Sequence, residues 1–276
     1  MHTSVNFASA SALSMEALAD LFTRSFEAYF YSGVTTPEAL SRRIASENID
    51  LFSSLILCID GQPSGVALLA RRGARAWCGG FGIVPEHRGN GYANQLTAAM
   101  IEQAQKAGAR QLTLEVLARN IAALRTYEHA GMHVTRRLLI MAWHLGDDEF
   151  GGRPRIDELE AETLVLDYFA DLHPAHASWQ REPATLLALP NLRGIVLRED
   201  GDVTAYALVT GDEISMRLFD LGACDEMAAR ELIHALQAHT ANLTCINEPA
   251  DSPLTGAFLR SGFVVPDEQY ELTMAL

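Results

Sequence analysis

The sequence predicts an α/β (α+β) fold: a mixed, mostly antiparallel sheet with one parallel pair and flanking helices, built twice in tandem. Three observations predict it. Apolar stretches of period two, bounded by Gly and Pro, alternate with stretches of helical period. A strand–helix–strand run in the first half demands a crossover, and hence a parallel pairing. The order strand–turn–strand–strand–helix–strand–helix–strand then occurs twice along 276 residues, as a repeat of elements rather than of identical residues.

Taken in order, Ser14 caps a helix predicted to run to about Tyr29, with Leu18, Leu21, Phe22 and Phe26 on one face. A second helix follows Thr36-Pro37-Glu38, where proline suits a first turn. LFSSLILCID (51–60), the turn Gly61-Gln62-Pro63 and SGVALLARRG (64–73) read as strand, turn and strand; Arg75–Val84 is a third strand, ending at Pro85. Leu96, Met100, Ile101 and Ala104 then mark a helix that Gly108 stops. QLTLEVLA (111–118) alternates Leu112, Leu114 and Val116 against Thr113 and Glu115, Asn120 opens a short helix ending at Gly131, and 134–145 is a last strand.

Composition shifts at 146–157, where acids, Gly151, Gly152 and Pro154 interrupt the apolar sequence and divide the chain into 1–146 and 155–276. The second half predicts a helix over Asp157–Leu172, strands at 192–200, 203–211 and 213–222, and a helix over Glu226–His239. A strand at 241–247, a helical segment ending at Gly262 and a strand at 269–276 complete it.

Apolar residues are 49% of the chain and charged ones 20%, so a packed core is expected and disorder is not. No apolar run reaches the ~18 residues of a membrane span, and the start lacks a basic segment leading into an apolar one. Cys58, Cys78, Cys224 and Cys245 form no C-x-x-C pair, so neither a zinc site nor a disulfide framework is expected, and a reduced, cytoplasmic location is. The net charge of −14 disfavours nucleic acid. It divides as +2 over residues 1–146 and −16 over 147–276, which leaves the first half better able to accept an anion. Lys106 alone among the 21 basic residues is lysine, which opposes a catalytic lysine. A homodimer is left open.

Arg88-Gly89-Asn90-Gly91-Tyr92-Ala93 sits between a strand and a helix. Two adjacent phosphates need several backbone N–H donors turned to one point with no Cβ in the way. Glycines permit that approach, the helix N-terminus adds its positive dipole end, and Arg88 adds charge and forked donors. A plain turn that binds nothing is the alternative.

Arg88-x-x-Gly91-x-Ala93, continued by Asn120-x-x-Ala123-x-x-x-Tyr127-x-x-x-Gly131-Met132, resembles the GCN5-related N-acetyltransferase (GNAT) superfamily over residues ~5–145. The resemblance implies an acetyl-CoA-dependent N-acetyltransferase working by direct transfer to a primary amine, from a small molecule or peptide, without metal. Arg88, Gly89, Asn90, Gly91, Tyr92 and Ala93 would hold the pyrophosphate, and backbone of Phe81, Gly82, Ile83 and Val84 the pantetheine arm. The parallel strands would splay, a backbone N–H near Ile83 would polarise the thioester carbonyl, and Asn120 would lie beside the slot. Tyr127, seven residues beyond Asn120 or ~10 Å of helical rise, is the candidate general acid, and Glu115 the candidate base. The pair is similar to that of the ribosomal-protein alanine acetyltransferases of this superfamily.

Each residue has a plainer reading. Tyr127 could be core, Glu115 a solvent-facing strand residue, Phe26, Tyr29, Phe30 and Tyr31 core rather than an acceptor wall, and His87 a surface residue. His173-Pro174-Ala175-His176 lacks acidic or cysteine partners at ligand spacing and reads as structural. Met132 stands where the family commonly has Phe. The second half departs further: it has no phosphate loop, Asp220, Asp225 and Glu226 fall where phosphates would sit, and Phe258 stands in the place of Tyr127. It reads as a degenerate copy. Two rivals remain: a non-catalytic acyl-CoA-binding protein, and a dinucleotide-dependent oxidoreductase built on Gly89-x-Gly91 and Glu115. Asn94 at the third glycine position opposes the latter.

Overall fold

A computed structural model describes residues 3–31, 33–146, 156–173 and 176–276. Gly151, Gly152, Pro154, Pro174 and Ala175 lie outside the described residues. The chain forms two compact units, Met1–Thr135 with Tyr270–Leu276, and Arg136–Gln269.

In the first unit, helix α1 (Met15–Ser25) begins where the Ser14 hydroxyl accepts the Ala17 N–H at 3.3 Å, and buries Leu18, Leu21 and Phe22. It stops four residues short of Tyr29 because the chain turns back at Ala28, which takes φ +56°. Helix α2 (Pro37–Glu47) has Thr36 as its cap, Pro37 in its first turn and left-handed Asn48 at its end. Strand β1 (Val5–Ser9), which the sequence reading did not anticipate, pairs antiparallel with β2 (Leu55–Ile59). β3 (Gln62–Arg72) pairs antiparallel with β2 and along the whole of β4 (Arg75–Ile83). β4 runs parallel to β5 (Gln111–Leu117) only from Arg75–Cys78 against Gln111–Leu114.

Helices α3 (Tyr92–Lys106) and α4 (Ile121–His129) cover one face, with Leu96, Met100, Leu124 and Tyr127 packed on Cys78, Leu112, Leu114 and Val116. On the opposite face, α1 lies so close to β4 that two strand positions admit no side chain. A Cβ on Gly80 would fall 2.7 Å from the Phe22 ring, and one on Gly82 would fall 2.7 Å from the Ser25 carbonyl oxygen.

The units do not coincide with 1–146 and 155–276. The end of β12 (Val264–Ala275) belongs to the first unit, where Leu272 joins the core and the Leu276 N–H donates to the Arg110 carbonyl at 3.0 Å. Most of β6 (His133–His144) belongs to the second, antiparallel to β11 (Asn242–Pro249). Both are the last strand of their repeat. Local pattern therefore fixes that each is a strand and leaves open which unit it joins.

The second unit continues from β6 and β11 through β10 (Met216–Ala223), β9 (Asp202–Gly211) and β8 (Arg193–Glu199) to β7 (Asp157–Leu159). Asp157–Leu159 is thus extended rather than helical. It pairs with β8, where Gly194 lets the Leu159 carbonyl approach, and helix α5 starts only after it, over 161–172. Helix α6 (Glu226–Gln237) and α7 (Thr255–Arg260) complete the repeat. β10 parallels β11 only over Met216–Leu218 and Leu243–Cys245. Both units break the antiparallel register at the same place: β4 at Gly79, just past Cys78, and β10 at Phe219, just past Leu218.

Gly82→Ala is expected to destabilise the protein by about 1–3 kcal/mol in urea unfolding, since backbone must yield to the new methyl. Gly33→Ala, with open space around the added atom, should leave the midpoint unchanged.

Candidate active site

Beyond Cys78 and Leu114 the two parallel strands part, and among the described residues the edge of β4 from Gly79 to Ile83 faces no strand on the β5 side. Antiparallel pairing alternates, so which groups face the gap follows from the register. The Val84 N–H bonds to the Ser64 carbonyl and Gly82 opposes Val66, which turns Gly80, Gly82 and Val84 toward β3. Phe81 and Ile83 therefore turn their N–H and C=O groups into the gap. Two arginines cap carbonyls along this edge. Arg43 of α2, held by Glu47 at 2.8 Å, donates to the Gly79 carbonyl, and Arg88 Nε donates to the Ile83 carbonyl at 2.8 Å.

The loop after β4 is shaped by Gly89 and Gly91, both at φ +78°, with open space where their Cβ atoms would be. Gly91 precedes α3 and supplies no side-chain cap. Among the described residues, the N–H groups of Gly89, Asn90, Gly91, Tyr92 and Ala93 make no hydrogen bond. Five consecutive donors at a helix N-terminus, on glycine-opened backbone, fit a diphosphate. Arg88, expected beside the diphosphate, gives its Nε to the Ile83 carbonyl and its Nη2 to the carbonyls of Ser25 (3.2 Å) and Glu27 (2.8 Å), tying the end of α1 to β4.

Tyr127 is buried on the α3/α4 face, its ring edge-on to Phe81 at 5.6 Å between centroids. No hydrogen bond among the described residues engages its hydroxyl. Burial raises its phenol well above 10, with Cys78 and Tyr29 adding to the effect, so it is protonated at any ordinary pH. Glu115 alternates with Leu114 and Val116 and so takes the opposite, α1/α2 face. It is half-buried rather than solvent-facing, and its carboxylate accepts the Trp77 indole N–H at 2.7 Å. The two candidate proton-transfer groups thus flank the gap from opposite faces. Asn120 caps α4, its side-chain oxygen accepting the Ala123 N–H at 3.2 Å.

Phe22, Phe26, Tyr29 and Phe30 form a chain of ring contacts at 4.6–5.5 Å, leading to half-exposed Phe30 and Tyr31, over which Arg119 lies. His87 packs edge-on to Tyr92. Trp77 and Arg43 were not singled out from the sequence. The one local signal was Gly79-Gly80-Phe81-Gly82, since glycines inside a strand mark close backbone approach. Among the described residues no group of three or more His, Cys, Asp or Glu could hold a metal ion, and no helix is long and apolar enough to cross a membrane.

The second unit replaces these features one by one. Asp225 caps α6, accepting the Ala228 N–H at 2.8 Å, so a carboxylate of the chain occupies the helix N-terminus. Phe258 is fully buried against Phe263. Asp220 is buried among His173, Arg181 and Tyr206, and Glu226 pairs with Arg260.

Residues 15–132 match the model of the acetyltransferase (GNAT) family. The uncharacterised N-acetyltransferase YycN of Bacillus subtilis is 42% identical over 55 residues, which are 20% of this chain and 35% of that protein. N-alpha-acetyltransferase 30 of Schizosaccharomyces pombe is 32% identical over 95 residues, 34% of this chain and 59% of that protein. The chain thus matches less than two thirds of the length of either relative. A tandem GNAT protein from the clavulanic acid biosynthesis pathway has the same fold, with a TM-score of 0.69 at 16% identity over 99% of this chain and 98% of that one.

Burial also pushes the Cys78 and Cys245 thiols up to about 12 and raises the Tyr206 phenol, which Asp220 raises further. For acids so raised, stability is complete below the unfolded values, about 8.5 for Cys and 10 for Tyr, and is lost as pH climbs above them. Urea-unfolding stability should therefore fall from about pH 9 upward. Tyr127→Phe should flatten the fall above about pH 10; an unchanged alkaline slope would show that this phenol titrates normally.

Proposed function

We propose, from the match of residues 15–132 to the acetyltransferase (GNAT) family, that the first unit transfers an acetyl group from acetyl-CoA directly to a primary amine. One observation carries the reading: five N–H groups that make no hydrogen bond among the described residues lead into a gap between parallel strands, with Tyr127 and Glu115 on its two faces. The N–H groups from Gly89 to Ala93 bind the diphosphate. The inward N–H and C=O groups of Phe81 and the N–H of Ile83 pair with the pantetheine arm like an added strand. An N–H of this edge also hydrogen-bonds the thioester carbonyl and stabilises the oxyanion of the addition step. Asn120 adds a contact beside the slot.

The amine must be neutral to attack, yet an alkylamine of pKa ~10.4 is under ~0.1% neutral at pH 7. Glu115 takes its proton, directly or through a water, from the α1/α2 face. Nitrogen adds to the thioester carbon, the C–N bond forms, and the C–S bond breaks toward the α3/α4 face. There the Tyr127 hydroxyl gives the departing sulfur its hydrogen bond and proton, and the proton that the nitrogen still carries after the C–N bond forms passes through water to the phenolate. A phenol held protonated by burial is always available as that donor. The products are an acetylated amine and free CoA, and this chemistry uses no metal. The second unit, with Asp225 on its helix N-terminus and Phe258 for Tyr127, performs no transfer; the −16 carried by residues 147–276 draws cationic amines to the protein. Four free cysteines suit a reducing cytoplasm.

Calorimetric titration with acetyl-CoA and with NAD, followed by CoA-release assays across small amines and peptide N-termini, tests the proposal. Acetyl-CoA should bind, NAD should not, and at least one amine should release CoA; binding with no release from any amine would instead indicate a carrier. Tyr127→Phe should lower kcat by about 100-fold with acetyl-CoA affinity retained. Glu115→Gln should slow the reaction most below the pKa of the amine, and an unaltered pH–rate profile would assign the base elsewhere.

A further inference from the structure

In the second unit, β10 and β11 part after Leu218 and Cys245, as β4 and β5 part after Cys78 and Leu114. The next residue of β10 beyond its bulge is Asp220, where β4 has Gly80. Three residues past Cys245 on β11 stands Glu248. Both carboxylates are buried, with side-chain exposures of 0% and 1%, and the Arg181 guanidinium between them is 3% exposed. Arg181 Nε and Nη2 donate to Asp220 Oδ1 at 3.3 and 3.1 Å, while Nη1 donates to Glu248 Oε2 and to the Asn247 carbonyl at 3.4 Å. The Tyr206 hydroxyl and His173 Nδ1 complete the shell of Asp220 at 2.7 and 2.9 Å.

A guanidinium spanning two parted strands, with four of its hydrogen bonds made to groups on both, does from inside the chain what a bound molecule would do from outside. We infer that Arg181 is a resident occupant of the second unit's strand gap, closing it to acyl donors so that the chain takes one acyl-CoA, in the first unit. The inference rests on reading the first unit's gap as the donor slot. It adds the agent that shuts the other. Losing the guanidinium would leave two buried carboxylates without the cation they share, which buried charges do not tolerate, whereas neutralising all three groups together removes the conflict.

The test uses the full chain. Arg181→Ala should lower the thermal midpoint by about 5 °C or more. About 10 mM guanidinium chloride should restore at least half of that loss by filling the site, while equal sodium chloride restores nothing and the wild type is unmoved. An unshifted midpoint, or equal recovery in both salts, overturns the inference. Should that variant not fold, the triple variant Arg181→Met, Asp220→Asn, Glu248→Gln should fold and ignore guanidinium; a triple variant that responds like Arg181→Ala overturns it as well. Titration of the wild type with CoA should end at one equivalent per chain. Two equivalents overturn the inference. Absence of binding overturns the donor slot of the first unit instead, and the guanidinium response then decides on Arg181.

Discussion

The hydrogen bonds that β4 and β5 do not make are what the candidate site depends on. Pairing ends at Cys78 and Leu114, at the bulge on Gly79, and from there each strand keeps its other neighbour or its helices while the gap stays open. An open edge inside a folded unit is costly unless its groups find partners. Here the partners are divided by polarity. Arg43 and Arg88 cap the Gly79 and Ile83 carbonyls, while the N–H groups that follow, from Gly89 to Ala93, have none among the described residues. An edge with the Gly79 and Ile83 carbonyls capped, followed by a run of free donors, favours ligands rich in acceptors, as amides, thioesters and phosphates are.

The same edge explains why glycine is dense there. Gly80 and Gly82 face α1, whose Phe22 ring and Ser25 backbone press against the strand, and Gly89 and Gly91 take left-handed turns. Alternation then sends Phe81 to the α3/α4 face beside Tyr127 and Glu115 to the other face beside Trp77. That Glu115 and the Phe81 ring against which Tyr127 packs lie on opposite sides of one gap is a consequence of strand periodicity, with no special backbone needed at either.

The two units show what the device does with and without free donors. Where β4 has Gly80, β10 has Asp220; where α3 begins at uncapped Gly91, α6 begins at Asp225 with its carboxylate already on the helix; where α4 carries Tyr127, α7 carries Phe258. The strand architecture is kept, including the bulge, while Asp225 on the helix N-terminus and Arg181 between the strands fill from within the chain places that the first unit leaves open.

The sequence by itself determined most elements, because their signals are local: Ser14 and Thr36 as caps, period-two runs in β2 to β5, and the glycine loop with the Asn120–Tyr127–Gly131 spacing. It also determined that the second half lacks a phosphate loop. Where it fell short, the deciding contact was distant in sequence. Asp157–Leu159 is a strand because β8 offers Gly194, Arg88 turns inward because carbonyls at the end of α1 come within reach, and Glu115 is held by Trp77, 38 positions away. Only the tertiary structure decided that β6 and the end of β12 join the unit other than their own repeat's, since two strands of equal pattern are interchangeable until a sheet edge selects between them.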